Sequence, residues 1–157
     1  MTYPKAAIET AFQLLPAKMD SRPARVNLAA FGYQETKYLT RIQYGNGPAR
    51  SYWQFEKGGG VKGVMEFKAD GGKVASLARH VCDSRGVPFE REKVWRAMET
   101  DDVLGAAFAR LLMYTDPFAM PDTQEEGWAL YMRVWRPGKP HPQTWREAWA
   151  FGLEYGQ

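Results

Sequence analysis

Gly45-Asn46-Gly47-Pro48-Ala49-Arg50-Ser51-Tyr52-Trp53-Gln54-Phe55-Glu56, preceded by the apolar run that leads into Glu35, is the stretch whose reading decides the fold. Read as a helix, Leu28, Phe31 and Glu35 fall at spacings of three and four and share one face. A carboxylic acid in line with an apolar stripe is desolvated, which raises its pKa and keeps it protonated near neutral pH, as a general acid requires. The glycine-rich turn that follows returns the chain towards that carboxylate. Tyr52, Trp53 and Gln54 in succession offer aromatic faces with an amide donor and acceptor, a combination suited to a carbohydrate. The same spacing equally allows Glu35 to end its helix in solvent.

Outward from this stretch the chain reads as a succession of helices. Pro4 to Leu15 is apolar at Ile8, Phe12 and Leu15 and is stopped by Pro16. Ser21 with Pro23 is a start signal for the helix carrying Glu35. Arg41 to Phe55 has β-branched and aromatic residues on either side of Gly45-Asn46-Gly47, predicting a short hairpin turning at those glycines. Gly58-Gly59-Gly60 and Gly71-Gly72 bracket a stretch, Val61 to Asp70, read as flexible. Lys73 to Arg85 is amphipathic and stopped by Gly86. Pro88 to Met98 is a further helix with Val94, Trp95 and Met98 inward. Asp101 or Asp102 caps a strongly periodic run, Val103 to Leu112. Thr123 with Glu126 is a capping-box pattern ahead of Trp128, Tyr131, Val134 and Trp135. A last helix presents Trp145, Ala148, Trp149 and Leu153. The expectation is one mainly α domain over 1–157, with a small β-hairpin element.

Composition fits that reading. A chain of 157 residues is long enough for one substantial core. Six Trp, eight Tyr and eight Phe exceed what such a core needs, so some are expected to face a groove. Lys+Arg exceed Asp+Glu by three, 21 against 18, a mild basic bias useful near an acidic polymer but no nucleic-acid signature. Arg133, Arg136, Lys139 and Arg146 beside Trp135 and Trp145 form a basic patch, for which a solvated helix face is the ordinary meaning. Cys82 is alone, so no intramolecular disulfide forms, and its helix places it on an apolar face with Val74, Leu77, Ala78 and Val81. His80, two residues away, points elsewhere.

Two histidines and one cysteine offer no zinc-ligand spacing, and no metal or other cofactor is expected. Gly58-Gly59-Gly60-Val61-Lys62-Gly63 lacks the ending of a phosphate-binding loop and reads as a mobile surface loop. No nucleophile elbow is present. Neither a secretory signal nor a membrane span is visible, so cytoplasmic synthesis is expected.

Gln34-Glu35-Thr36, followed nineteen residues after the glutamate by Gln54 within Gly47 to Phe55, resembles the first two motifs of soluble lytic transglycosylases and goose-type lysozymes. In that lysozyme-like family a Glu-Ser pair ends a helix, and a Gly-Ala-Arg-Gly-Leu-Met-Gln segment floors the glycan groove. Ala49-Arg50 and Gln54 match directly. Ser51, Tyr52 and Trp53 stand at the Gly, Leu and Met positions, and Thr36 at the Ser. Ala129-Leu130-Tyr131 followed by Pro137-Gly138 resembles the late Ala-Tyr-Asn-Ala-Gly-Pro-Gly segment, without its Asn.

The resemblance implies a lysozyme-like α+β fold and cleavage of peptidoglycan glycan strands, with Glu35 as general acid and base. It implies that Ser51, Tyr52, Trp53 and Gln54 line the glycan site and that Tyr131 orients Glu35. By periodicity alone, Tyr131 is equally a core residue stacked with Trp128 and Trp135. If water is the nucleophile a second carboxylate is expected, and Glu56, Glu66 and Asp70 are at hand. A bacteriophage or prophage setting, with release by lysis or association with other virion proteins, would bring such a protein to the cell wall. Two other classes are consistent with the residues: a glycan-binding or virion structural protein of the same fold that does not cleave, and a small DNA-associated protein.

Overall fold

The computed structural model describes residues 2–157. Its eight helices are α1 (Lys5–Leu14), α2 (Arg22–Thr36), α3 (Lys62–Met65), α4 (Lys73–Arg85), α5 (Arg91–Ala97), α6 (Asp102–Tyr114), α7 (Gln124–Val134) and α8 (Trp145–Tyr155). Between α2 and α3 lies a two-stranded antiparallel sheet, β1 (Ala49–Arg50) and β2 (Phe55–Glu56). The chain is mainly α with a small hairpin, as the residue pattern predicts. No helix among the described residues is long and apolar enough to cross a membrane.

Local signals place most helix ends. The Ser21 hydroxyl accepts the Ala24 N–H at 3.1 Å at the start of α2, satisfying one of the amides a helix leaves open. Asp101 caps α6 in the same way through Leu104 N–H. Half of the capping-box pattern ahead of α7 forms: Glu126 N–H donates to Thr123 Oγ1, while the Glu126 carboxylate accepts the Thr123 hydroxyl instead of its backbone N–H. Gly86 closes α4 in the left-handed conformation.

The core is organised around α6, where every residue from Val103 to Met113 is buried. A helix buried on all sides belongs in the middle of a fold, and α1, α2, α3, α4 and α7 pack around this one. Helix α2 lies along α8, and the two are in tight contact at Gly152. A Cβ there would sit 2.5 Å from the Val26 carbonyl oxygen and 3.1 Å from the Ala30 Cβ. Only a residue without a side chain lets the two backbones come so near.

Several expectations are corrected. The hairpin does not reverse at Gly45-Asn46-Gly47. Its register pairs Ala49 with Glu56 and Arg50 with Phe55, so the reversal is Ser51-Tyr52-Trp53-Gln54. The glycines make a separate preceding turn, closed by an isolated bridge between Ile42 and Arg50. Val61 to Asp70 is not a free loop: Val61, Val64 and Met65 are buried and Lys62–Met65 is helical. Gly58-Gly59-Gly60 forms most of a wide turn, Lys57–Val61, leading directly into α3. The fifth helix starts at Arg91, later than Pro88. Trp95 is only partly buried, and its indole N–H donates to the Pro48 carbonyl at 2.8 Å. On α8, Leu153 is exposed, and Phe151 and Gly152 face inward in its place. Most aromatics are in the core; Tyr44 and Phe118 are the strongly exposed ones.

Gly152→Ala forces a methyl group against a backbone carbonyl that no rotamer change relieves. It should destabilise the fold by about 1–3 kcal/mol, as overpacking does. Urea unfolding of the variant tests this; unchanged stability would mean that α2 and α8 separate freely.

Candidate active site

Glu35 lies in the last turn of α2, between two residues held by their side chains. Gln34 donates through Nε2 to the His141 carbonyl at 3.0 Å and accepts from the Thr144 hydroxyl at 3.0 Å. Thr36 lies 2.8 Å from the Tyr52 carbonyl and 3.2 Å from the Gly32 carbonyl through its one hydroxyl. A hydroxyl has a single proton, so the shorter contact, to Tyr52, is the principal one. The end of α2 is thus tied to the α7–α8 connection on one side and to the hairpin turn on the other. Immediately beyond it, Lys37 and Tyr38 take positive φ and fold the chain back. The buried Tyr38 hydroxyl then donates to the Ala29 carbonyl at 2.8 Å.

The Tyr131 hydroxyl donates to Glu35 Oε2 at 2.7 Å. The two residues come from α7 and α2, 96 positions apart. Tyr131 is itself buried, edge-on to Phe31 at 5.4 Å and stacked on Trp145 at 5.8 Å. It is therefore both a core residue and the partner of the acid. Its nearest aromatic neighbour on α7 is Trp128, at 5.3 Å, and Trp135 packs on Phe31 instead, at 4.9 Å.

Glu35 is half-buried by surface, yet the atoms around its carboxyl make desolvation the dominant influence. Burial pushes its pKa up to about 7, and the Tyr131 hydrogen bond opposes this by favouring the charged form. Burial, reinforced by the Glu35 carboxylate, raises the Tyr131 phenol well above its ordinary range, so it stays a donor. The arrangement is an acid close to half-protonated at neutral pH, with its orientation fixed by one short hydrogen bond.

The hairpin turn lies beside this pair, but most of it is not a ligand surface. Ser51, Tyr52 and Trp53 are buried, which corrects their expected place against a glycan. Trp53 is fully enclosed, and its indole N–H donates to the Leu28 carbonyl on α2 at 2.8 Å. The Ser51 Oγ accepts Trp53 N–H at 3.0 Å, and the turn packs on α6 where Gly105 leaves room, a Cβ there falling 3.0 Å from Ser51 Cβ. Arg50 is buried too, paired with Glu99 at 2.9 Å and lying over Trp95 at 4.4 Å. These residues build the floor and do not line it.

Gln54 is the turn residue that reaches open space. It borders a cleft of about 970 Å³, together with Glu56, Gly58–Gly60, Lys62, Trp135 and Arg136. Glu35 and Tyr131 are not among its walls. Trp135 joins the two regions: it borders the cleft, packs on Phe31, and donates its indole N–H to the Trp53 carbonyl at 2.8 Å. Periodicity alone places Trp135 among the inward residues of its helix. Its position one turn after Tyr131 on the same helix is the signal that could have found it.

Of the three further carboxylates, Asp70 is a helix cap, accepting Gly72 and Val74 N–H at 2.9 and 2.8 Å. Those bonds hold its pKa below the usual value although desolvation pulls the other way. Glu66 faces Arg91 at 3.6 Å. Glu56 borders the cleft with no ion-pair partner among the described residues. No group of three or more metal-ligating side chains occurs among the described residues. Cys82 is buried, which pushes its thiol up to about 12 and leaves it inert at neutral pH.

Comparison with protein-family models, with curated proteins and with solved structures finds no match for this chain.

The raised pKa of Glu35 has a consequence for stability. Because the folded state binds this proton more tightly than the unfolded chain, the folded protein is favoured most below pH ~4.5 and loses stability as pH rises through ~7. Glu35→Gln removes that loss. The variant should match the wild type near pH 4 and exceed it by up to about 3 kcal/mol above pH 8, the free energy that separates a carboxyl near 7 from an ordinary one. Parallel thermal melts of both proteins across pH read this difference directly. A difference independent of pH would show that the carboxyl is solvated.

Proposed function

We propose that this protein cleaves the glycan strands of peptidoglycan, with Glu35 as the single general acid and base. The observation that carries the reading is the Tyr131 hydroxyl on Glu35 Oε2 at 2.7 Å, on a carboxyl whose pKa burial raises to about 7. Such a group gives up a proton and takes one back at the same pH, as cleavage through an oxocarbenium-like transition state demands. Glu35 protonates the glycosidic oxygen as the bond to the anomeric carbon breaks. The resulting carboxylate then removes a proton from the incoming nucleophile. Where that nucleophile is a hydroxyl of the sugar itself, the product is an anhydro ring and no second carboxylate is needed. Where it is water, the product is a reducing end.

The intramolecular route suits this site better. Asp70 is committed to capping α4 and Glu66 lies beside Arg91, leaving Glu56 as the carboxylate free to assist water. In this reading Gln54 holds the strand in the cleft, and the strand runs past Trp135 towards Glu35. A role in cell-wall passage or lysis by a bacteriophage is part of the same proposal.

The test is digestion of purified peptidoglycan followed by mass analysis, since anhydro and reducing ends differ by one water. Glu35→Gln should abolish turnover while keeping the fold. Tyr131→Phe should slow it roughly tenfold, the worth of one orienting hydrogen bond of about 1–2 kcal/mol. The wild-type rate should fall as pH rises through ~7, because the acid must start protonated. In Tyr131→Phe that alkaline limb should move higher, since the lost hydrogen bond favoured the charged form. Full turnover by Glu35→Gln would remove the glutamate from the chemistry.

A further inference from the structure

The cleft beside Gln54 has a charge pattern that a neutral polysaccharide does not require. Six charged side chains border it: Lys62, Lys68, Arg133, Arg136, Glu56 and Glu66. Two of these are engaged outside it. Arg133 is held by Asp116, with Nε to Oδ1 at 2.7 Å and Nη2 to Oδ2 at 3.0 Å, and Glu66 faces Arg91 at 3.6 Å. Lys62, Lys68 and Arg136 form no ion pair among the described residues, and Glu56 is the single unpaired carboxylate facing them. Three free cations around one concavity repel each other and raise the local potential, which draws in anions.

Arg136 adds a second observation. It takes φ 48, in the left-handed region, where a residue with a side chain is strained. Pro137 disfavours the right-handed helical alternative, and Trp135, fixed to the Trp53 carbonyl, anchors the preceding residue. Its Nε donates to the Arg133 carbonyl at 3.2 Å, and its two terminal nitrogens have no partner among the described residues. A glycine would meet this backbone conformation without strain. The position instead holds the side chain whose forked donors match a carboxylate.

We infer that the cleft selects a glycan strand bearing carboxylates, which pair with Lys62, Lys68 and Arg136, and discriminates against the same strand when its carboxylates are neutralised. This rests on the glycan-cleaving reading and adds to it the charge class of the substrate and the residues that recognise it. Nucleic acid is a poorer fit. The cleft carries a free carboxylate, Glu56, that a closely charged phosphate backbone would meet, and its partly buried aromatic residues, Phe67 and Trp135, suit a sugar face.

The carboxylates of a peptidoglycan strand come from the attached peptides and, only on sugars that carry no peptide, from the lactyl group, which is otherwise tied up in the amide to the peptide. Insoluble sacculi therefore serve as the probe in two forms, native and amidated with a carbodiimide and an amine so that the carboxylates are neutral. Soluble strands freed of peptide, and the released peptides, are added as competitors. Retention of the Glu35→Gln protein, which leaves the strand intact, measures binding. Native sacculi should bind at least roughly tenfold more tightly than amidated ones, with the difference collapsing at about 0.5 M NaCl as screening shortens the reach of the charges.

The combined variant Lys62→Gln, Lys68→Gln and Arg136→Gly should bind native sacculi only as well as the parent binds amidated ones. Arg136→Gly relieves backbone strain, so its melting temperature should not fall, which separates lost recognition from lost folding. Competition by the peptide-free strands, which expose only lactyl carboxylates, shows that the cleft takes that group; competition by the released peptides alone assigns the contacts to the peptide carboxylates. Equal binding of native and amidated sacculi overturns the inference, as does native binding unchanged in the triple variant. Displacement of sacculi by a short DNA duplex from the parent but not the variant would reassign the cleft to nucleic acid. If wild-type protein cuts native and amidated sacculi alike, cleavage stands and charge selection falls. If charge-dependent binding occurs and neither form is cut, selection stands and the catalytic reading falls.

Discussion

The indole of Trp53, enclosed by the core and bonded to the Leu28 carbonyl in the middle of α2, fixes the position of the hairpin turn on the helix that carries Glu35. A buried indole N–H without a partner would cost a large part of a small domain's stability. The turn therefore has little freedom to shift along α2. Two further bonds share the constraint: Thr36 to the Tyr52 carbonyl and Trp135 to the Trp53 carbonyl. Through them the end of α2, the turn and α7 become one unit. The Tyr131 hydroxyl reaches Glu35 because these three pieces are locked together.

The same constraint explains why the turn is a floor. Trp53 and Tyr52 are spent on fastening elements to one another, and Arg50 is spent on holding β1 against α5 through Glu99 and Trp95. What remains for contact with a ligand is the rim: Gln54, the wide glycine turn after β2, and the residues that follow α7. Positive φ at Ser51, Gln54 and Arg136 marks the edges of this unit. Backbone strain of this kind persists only where surrounding contacts over-determine the conformation, and here those contacts are the enclosed indole of Trp53 and the partly buried indole of Trp135.

Desolvation and the single hydrogen bond at Glu35 pull in opposite directions, and the balance sets its character. Without burial the carboxyl would be ionised at neutral pH and could not donate. Without the phenol it would lack a fixed orientation, and its proton would be held more tightly still. An acid near 7 is the product of both.

Much of this was legible along the chain. Helix periodicity, the Ser21, Asp101 and Thr123 caps and the Gly86 stop are local, so α1, α2, α4, α6 and α7 follow from spacing and side-chain chemistry alone. So does the alignment of Glu35 with Leu28 and Phe31. The hairpin reversal was not legible, because glycines at 45 and 47 are the stronger turn signal, while Ser51 and Gln54 adopt left-handed backbone only under the packing of Trp53. Nor could spacing choose between a core role and a site role for Tyr131, since the ring and the hydroxyl serve both. That choice, the enclosure of Ser51, Tyr52 and Trp53, and the grouping of Lys62, Lys68 and Arg136 around one cleft depend on which helix lies against which. Tertiary structure decided them, because burial and electrostatic neighbours are properties of the assembled chain.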